Sequence, residues 1–390
     1  MRVVIFTEVY YPFISGVVTH IETLKNGLEA RGHQVLIVTL NPDYDHASLQ
    51  GDILYCPSIP LKKIYGYGIA NPWSFERYEI IKEFHPDIIH IHTEFSLGVA
   101  GITYAKRLKI PVIYTLHTMY DDYLFYVAPN AKARIVLKSI AHRYFHQIAN
   151  HATEIIGPSQ KVREFLRRCG YTHKINLIPN TVDLSQFHKE NVDREKTEQL
   201  REELGILPGD TTMCFVGRLG HEKSIDVLID YFTASFKGEK QYKLFVIGKG
   251  PDYELLQKQI ADNGVEEQVK LLGYIEHDDL PPYYQLFDLY ATASTSEMNS
   301  IANLEAGASG LYLIQKYDEY NIDQIEIGLT GDIYHDQKEF EKLVREEGEM
   351  TSEEKEARRN AVAEKSKSYG INEFMDSVLA VYNKAIEEYQ

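Results

Sequence analysis

Short apolar runs rich in β-branched residues recur at positions 3–6, 34–39, 88–92, 112–116, 154–156 and 175–178, each followed by a longer stretch of helical period. Unbroken apolar runs suit strands covered on both faces, and their alternation with helical stretches predicts βαβ units around a parallel sheet. The cycle restarts after about residue 208, with runs at 213–216, 243–247, 269–272, 289–292 and 311–314. Two doubly wound α/β sheets are therefore expected. Between them, residues 187–205 are highly charged and continue as a solvated helix over 194–204, which puts the boundary near 186–195 and gives domains of 1–190 and 191–369. The charged stretch 339–367 reads as exposed helices.

A chain of 390 residues exceeds what one hydrophobic core usually supports, in keeping with two domains and a cleft between them. Cys56, Cys169 and Cys214 are dispersed and odd in number, so they support neither a disulfide framework nor a zinc site and suit a reducing cytoplasm. Met1 leads directly into strand-like residues, and no apolar run nears the roughly 20 residues of a spanning helix. The expected chain is neither secreted nor membrane-spanning. Its net charge of −16 is uneven: residues 1–185 hold 19 Lys and Arg against 16 Asp and Glu, and the remainder holds 22 against 41. Such acidity argues against nucleic acid as a ligand, because that binding rests on neutralising phosphates. The first half also carries 11 of the 15 histidines, so it gains positive charge near an acidic membrane surface.

In open α/β sheets, ligands collect at the carboxyl ends of strands, where Gly-rich turns and helix N-termini face phosphate. Gly16 lies in such a turn, before a helix expected to start near His20, and Gly248 and Gly250 hold the same kind of place in the second half. Arg218 and Lys223 follow a buried strand and the small Gly217, and would offer two positive charges to a diphosphate. Glu297 precedes a helix starting between Met298 and Ile301, with Glu305 about two turns inside it. A rise of 1.5 Å per residue would separate the two carboxylates by roughly 12 Å. Glycosidase pairs stand about 5 to 10 Å apart. The wider span favours holding a donor through its hydroxyls over hydrolysing a glycan, although either Glu alone reads as a helix cap or a surface residue. His117 ends the strand 112–116 and opens a dense polar and aromatic run that includes Tyr120, Asp121 and Tyr123. His90 and His92 lack a third ligand at metal-binding spacing, so they read as strand-end polar residues. Asp43 and Asp45 read as a loop. Residues 61–67 with Trp73 and Phe75, and a helix bearing Lys132, Arg134, Lys138, Arg143, Ile135 and Ile140, combine basic and apolar groups that can rest on anionic lipid; a half-buried helix with a solvated face has the same pattern.

These motifs, together with residues 180–183, Glu222 and the Gly273-Tyr274-Ile275 turn, resemble the retaining GT-B glycosyltransferases of family 4 over nearly the whole chain. The resemblance implies two Rossmann-like doubly wound parallel-sheet domains facing a central cleft, with a terminal helix, residues 370–390, crossing back onto the first. It assigns Arg218 and Lys223 to the donor diphosphate, Glu305 to the ribose, Glu297 to the hexose, backbone near Ile275 to the base and His117 to the donor sugar. Gly16, Gly217, Gly248, Asn299, Ser300 and Ile301 complete the donor site. Within the family, the run from His117 to Tyr123 and residues 157–162 are similar to bacterial diacylglycerol glucosyltransferases, which places Ser159 and Lys161, with Tyr120, Asp121 and Tyr123, near the acceptor. Two departures bear on donor choice: residues 298–301 replace the usual small, Gly-containing stretch, and residues 310–312 lack the common proline.

The expected activity is retaining, metal-independent transfer of a hexose, glucose from UDP-glucose, to a lipid such as diacylglycerol or a glycosyl-diacylglycerol, with no cofactor beyond the donor. The expected location is the cytoplasmic face of the cell membrane, touched by the first domain. The alternatives are a non-lipid glycan acceptor, a catalytically silent partner subunit or a nucleotide-sugar epimerase on the same fold.

Overall fold

The computed structural model describes residues 1–13, 15–60, 68–117, 121, 130–319, 324–367 and 370–389. The chain divides into two compact units, Met1–Val182 with Gly370–Gln390, and Asp183–Tyr369.

The first unit is built on an eight-stranded sheet in the order Asn176–Leu177, Glu154–Gly157, Val112–Thr115, Ile88–Ile91, Arg2–Phe6, Gln34–Leu40, Ile53–Cys56, Ser48–Gln50. All neighbours pair in parallel except the last two, which are antiparallel. Val3, Ile5, Ile37, Ile88, Ile113 and Ile156 from the strands pack with Ile21 and Leu24 of the helix Gly16–Ala30. Phe374, Met375, Val378 and Tyr382 of the terminal helix Ile371–Tyr389 share this core. A strand flanked by helices on both faces must be apolar throughout, and His90 is the buried exception in Ile88–Ile91.

The second unit carries six parallel strands in the order Val269–Gly273, Tyr242–Ile247, Thr211–Val216, Leu289–Thr292, Tyr312–Lys316, Gly331–Tyr334. Met213, Leu244, Val246, Leu289 and Ile314 meet Leu228, Ile229 and Phe232 of the helix Ile225–Phe236 in its core. The switch in strand order lies between Thr211–Val216 and Leu289–Thr292, and the charged candidates follow these two strands.

Several expectations are corrected. The helix Gly16–Ala30 begins four residues before His20, because Ser15 caps it by accepting from Val18 N. The charged stretch after residue 187 holds the helix Arg194–Glu203, yet Phe187 itself is fully buried. The helices Gln337–Glu349 and Ser352–Ser366 are solvated on one face only, burying Phe340, Val344 and Val362.

Candidate active site

In the second unit, loops leaving three neighbouring strands are stitched together at their carboxyl ends. Gly217 N donates to Ile247 O (3.0 Å), Leu219 N to Lys249 O (3.0 Å) and Gly248 N to Gly273 O (2.7 Å). A Cβ on Gly248, whose φ is 146°, would lie 1.8 Å from Gly217 O, and one on Gly250 would lie 2.1 Å from Leu219 O. Backbone packs on backbone here, which only glycine allows.

Arg218 leaves this seam with its guanidinium 3.6 Å from Glu222 Oε1 and its side chain 45% exposed. Lys223 closes the 3-10 turn His221–Lys223, and its Nζ lies 2.5 Å from Glu297 Oε1 in a largely buried pair. Ser296 Oγ donates to Glu222 O (2.7 Å), so the turn carrying Lys223 and the loop carrying Glu297 are fixed to each other across 74 residues of sequence. A diphosphate would compete with Glu297 for Lys223, and the displaced carboxylate can accept from hydroxyls.

Glu305 lies one turn inside the helix Ile301–Ala308, not two, because that helix starts only at Ile301. The helical rise therefore does not apply to the loop at Glu297, and the 12 Å spacing argument loses its basis. Glu305 is buried; Oε1 lies 2.8 Å from His277 Nε2, and Oε2 accepts from Tyr284 OH at 3.1 Å. A carboxylate has about four acceptor positions, so two bonds leave capacity for a ligand hydroxyl. The bond to Glu305 is the largest influence on His277 and outweighs burial, raising its pKa above the ordinary value. Both carboxylates bear on Tyr290, whose hydroxyl donates to Val216 O (3.2 Å): burial first, then the charge of Glu297, with a smaller share from Glu305, raise its pKa.

Ser300 is the N-cap of this helix, its Oγ accepting from Asn303 N (3.3 Å). Gln324 clamps the same residue, accepting from Ser300 N (2.7 Å) and donating to Ser300 O (2.9 Å). The Ser300 hydroxyl thus already serves the fold, whereas Asn299 and Ile301 flank it half-buried. Ile275, also half-buried, follows Gly273, and beside it Lys249 Nζ stands 3.9 Å over the Tyr274 ring.

In the first unit, Gly16 is the first residue of its helix and not a turn before it. The strand Val112–Thr115 ends two residues short of His117. His117 Nε2 shares a hydrogen bond with His92 Nδ1 (2.9 Å), and the His20 ring stands 4.7 Å from that of His117. His92 therefore does have company: the fold supplies His20 and His117, which chain spacing conceals. His90 is separate in function, bonded to Tyr382 OH and Thr115 Oγ1 at 2.7 Å each. Asp121 joins Lys138 (2.8 Å) and His142 (2.9 Å) of the helix Ala131–His151, and although burial acts against it, these bonds lower its pKa. Ser159 and Lys161 are buried at the start of the helix Gln160–Arg168. Tyr120, Tyr123 and residues 61–67 lie outside the described residues. His277, Tyr284 and Gln324 escaped sequence reading; a histidine just past a strand end was the one available signal.

The chain belongs to the family 4 glycosyltransferases: the model of Glycosyltransferase Family 4 matches residues 14–186, and that of Glycosyl transferases group 1 matches residues 196–367. It is 33% identical to the alpha-monoglucosyldiacylglycerol synthase of Acholeplasma laidlawii over 88% of this chain and 87% of that protein. Identity to the alpha-monoglucosyldiacylglycerol synthase of Streptococcus pneumoniae is 34%, over 86% and 75% of the two chains. The crystal structure of Anabaena HepE in complex with UDP-glucose is similar in fold, with a TM-score of 0.75 at 17% identity over 98% of this chain and 100% of that one. The fold is thus of the GT-B class, with two Rossmann-like units.

Proposed function

We propose that this chain is a retaining hexosyltransferase that moves glucose from UDP-glucose to a membrane lipid with a free hydroxyl, diacylglycerol or a glycosyl-diacylglycerol. The observation that carries the reading is the Lys223–Glu297 contact beside Arg218, at the carboxyl edge of a Rossmann-like sheet. Cations fixed there suit a diphosphate, Glu297 suits the hexose hydroxyls and Glu305 the ribose. The names of the two relatives at 33% and 34% identity support a diacylglycerol acceptor, and the UDP-glucose complex of a structural neighbour supports the donor.

In the reaction, the bond from sugar C1 to the phosphate oxygen breaks as the acceptor hydroxyl oxygen bonds C1 on the same face, and its proton passes to the departing phosphate. Arg218 and Lys223 spread the charge that develops there, the electrostatic contribution that usually dominates catalysis. No metal takes part in this step. Gly217, Gly248 and the backbone near Ile275 line the nucleotide, with Asn299 and Ile301 near the sugar and Ser300 holding their helix. Residues 191–369 act as the donor domain. Residues 1–190, with the helix 370–390, act as the acceptor domain: His117 serves the donor sugar from there, Gly16 its loop, and Asp121, Ser159 and Lys161, with Tyr120 and Tyr123, the acceptor.

Among the described residues, no helix is long and apolar enough to cross a membrane. A peripheral contact fits the first unit, where Ile135, Val136 and Ile140 of the helix Ala131–His151 are 71%, 59% and 59% exposed beside Lys132 and Arg143, and Trp73 and Phe75 are 64% and 71% exposed. The test is radiolabelled UDP-glucose with vesicles holding diacylglycerol and anionic lipid. Lipid-extractable label is expected. Its absence with UDP-glucose, UDP-galactose, UDP-N-acetylglucosamine and GDP-mannose alike would remove the lipid acceptor, and an isomerised donor formed without any acceptor would favour an epimerase.

A further inference from the structure

Three imidazoles from separate parts of the first unit converge on one spot. His20 comes from the helix Gly16–Ala30, His92 from the residue after the strand Ile88–Ile91, and His117 from just past the strand Val112–Thr115. One ring nitrogen from each lies within 4.8 Å of the other two. His20 and His92 are 2% and 1% exposed, and although Asn180 reaches the His20 ring, His20 Nδ1 and His92 Nε2 have no hydrogen-bond partner among the described residues. Leaving a buried polar atom unpaired is costly, and two such atoms fall on two rings of this one cluster.

We propose that His20, His92 and His117 form a site for a late first-row divalent metal ion, with zinc and cobalt(II) as its probes. Three nitrogens and no oxygen suit such an ion and disfavour magnesium or calcium, which take oxygen ligands. Zinc–nitrogen bonds of about 2.0–2.1 Å put two ligand nitrogens about 3.4 Å apart, so the rings need to close by roughly 1 Å. His117 is the half-buried member, which leaves the fourth position to water. The proton now shared by His92 Nδ1 and His117 Nε2 moves to the other nitrogen of its ring when the ion binds. His90 is not a ligand, because Tyr382 and Thr115 occupy both its nitrogens; it backs His92 with ring centroids 4.0 Å apart. The ion is not part of glycosyl transfer. Resting on the reading above that His117 serves the donor sugar, its binding withdraws that ring and makes zinc a reversible inhibitor.

Cobalt(II) titrated into the full chain should bind with one equivalent and give the visible bands of a low-coordinate nitrogen site, displaced by zinc. In wild-type protein carrying 15N-imidazole histidine, zinc should shift the ring nitrogens of three of the 15 histidines. His20→Gln and His92→Gln should each weaken zinc binding at least about tenfold, with UDP titration confirming an intact second unit. No saturable binding, fewer than three shifted histidines, or variants that bind zinc like the wild type would overturn the site. Zinc bound at the three rings without slowing transfer keeps the site and instead removes the role given to His117.

Discussion

Lys223 links the two cations at 218 and 223 to the two carboxylates at 297 and 305 through its 2.5 Å contact with Glu297. Lys223→Ala should lower kcat/KM by about 10² to 10³, the usual loss when one donor to a developing negative charge is removed; steady-state kinetics with UDP-glucose measure it, and a change below a few-fold would take Lys223 out of the reaction. His277 was not readable, since its partner Glu305 is 28 residues away and nothing in the local pattern marks the bond. Its raised pKa makes a signed prediction. The His277–Glu305 contribution is complete below the ordinary histidine value near 6.5 and is lost as pH rises through the raised one. Urea unfolding of His277→Asn should therefore lack that loss of stability on the alkaline side. His20 runs the other way: burial lowers it to about 4, so its contribution is full above about 6.5 and falls on acidification through about 4, by roughly 1.4 kcal/mol per pH unit within that window. His20→Gln should flatten this acid limb, and an unchanged limb would mean His20 is not neutral in the fold.

At the scale of elements, most strands of both sheets followed from apolar runs, whereas helix starts depended on single capping side chains. Ser15 moved one start forward to Gly16, and Ser300 delayed another to Ile301, shifting the depth of Glu305 by a turn. Strands Ile53–Cys56 and Gly331–Tyr334 went unread because each is four residues long with alternating or mixed burial. Ser300→Ala should cost about 1 kcal/mol of stability through the lost cap, seen as a lower thermal midpoint. Gly248→Ala is far more severe, since its Cβ would meet Gly217 O at 1.8 Å. Separation of the two loops should lower the unfolding midpoint and abolish UDP binding together; normal UDP affinity would show that the seam does not shape the site.

For the molecule as a whole, two sheets were legible because the strand–helix cycle visibly restarts near residue 208, while the convergence of His20, His92 and His117 was not, since parallel crossovers join residues far apart in sequence. The exposed Ile135 and Ile140 give the membrane reading its own test. Ile135→Glu with Ile140→Glu should reduce sedimentation with anionic vesicles by about tenfold or more, from the apolar area lost and the charge added, and unchanged sedimentation would move the contact elsewhere. The division of labour within the second unit is tested most directly by calorimetric titration of UDP-glucose into wild-type protein, Lys223→Ala and Glu305→Gln. One site per chain is expected, weakened at least tenfold in each variant. No heat from the wild type, or equal affinity in all three proteins, would contradict a nucleotide-sugar site built on these residues.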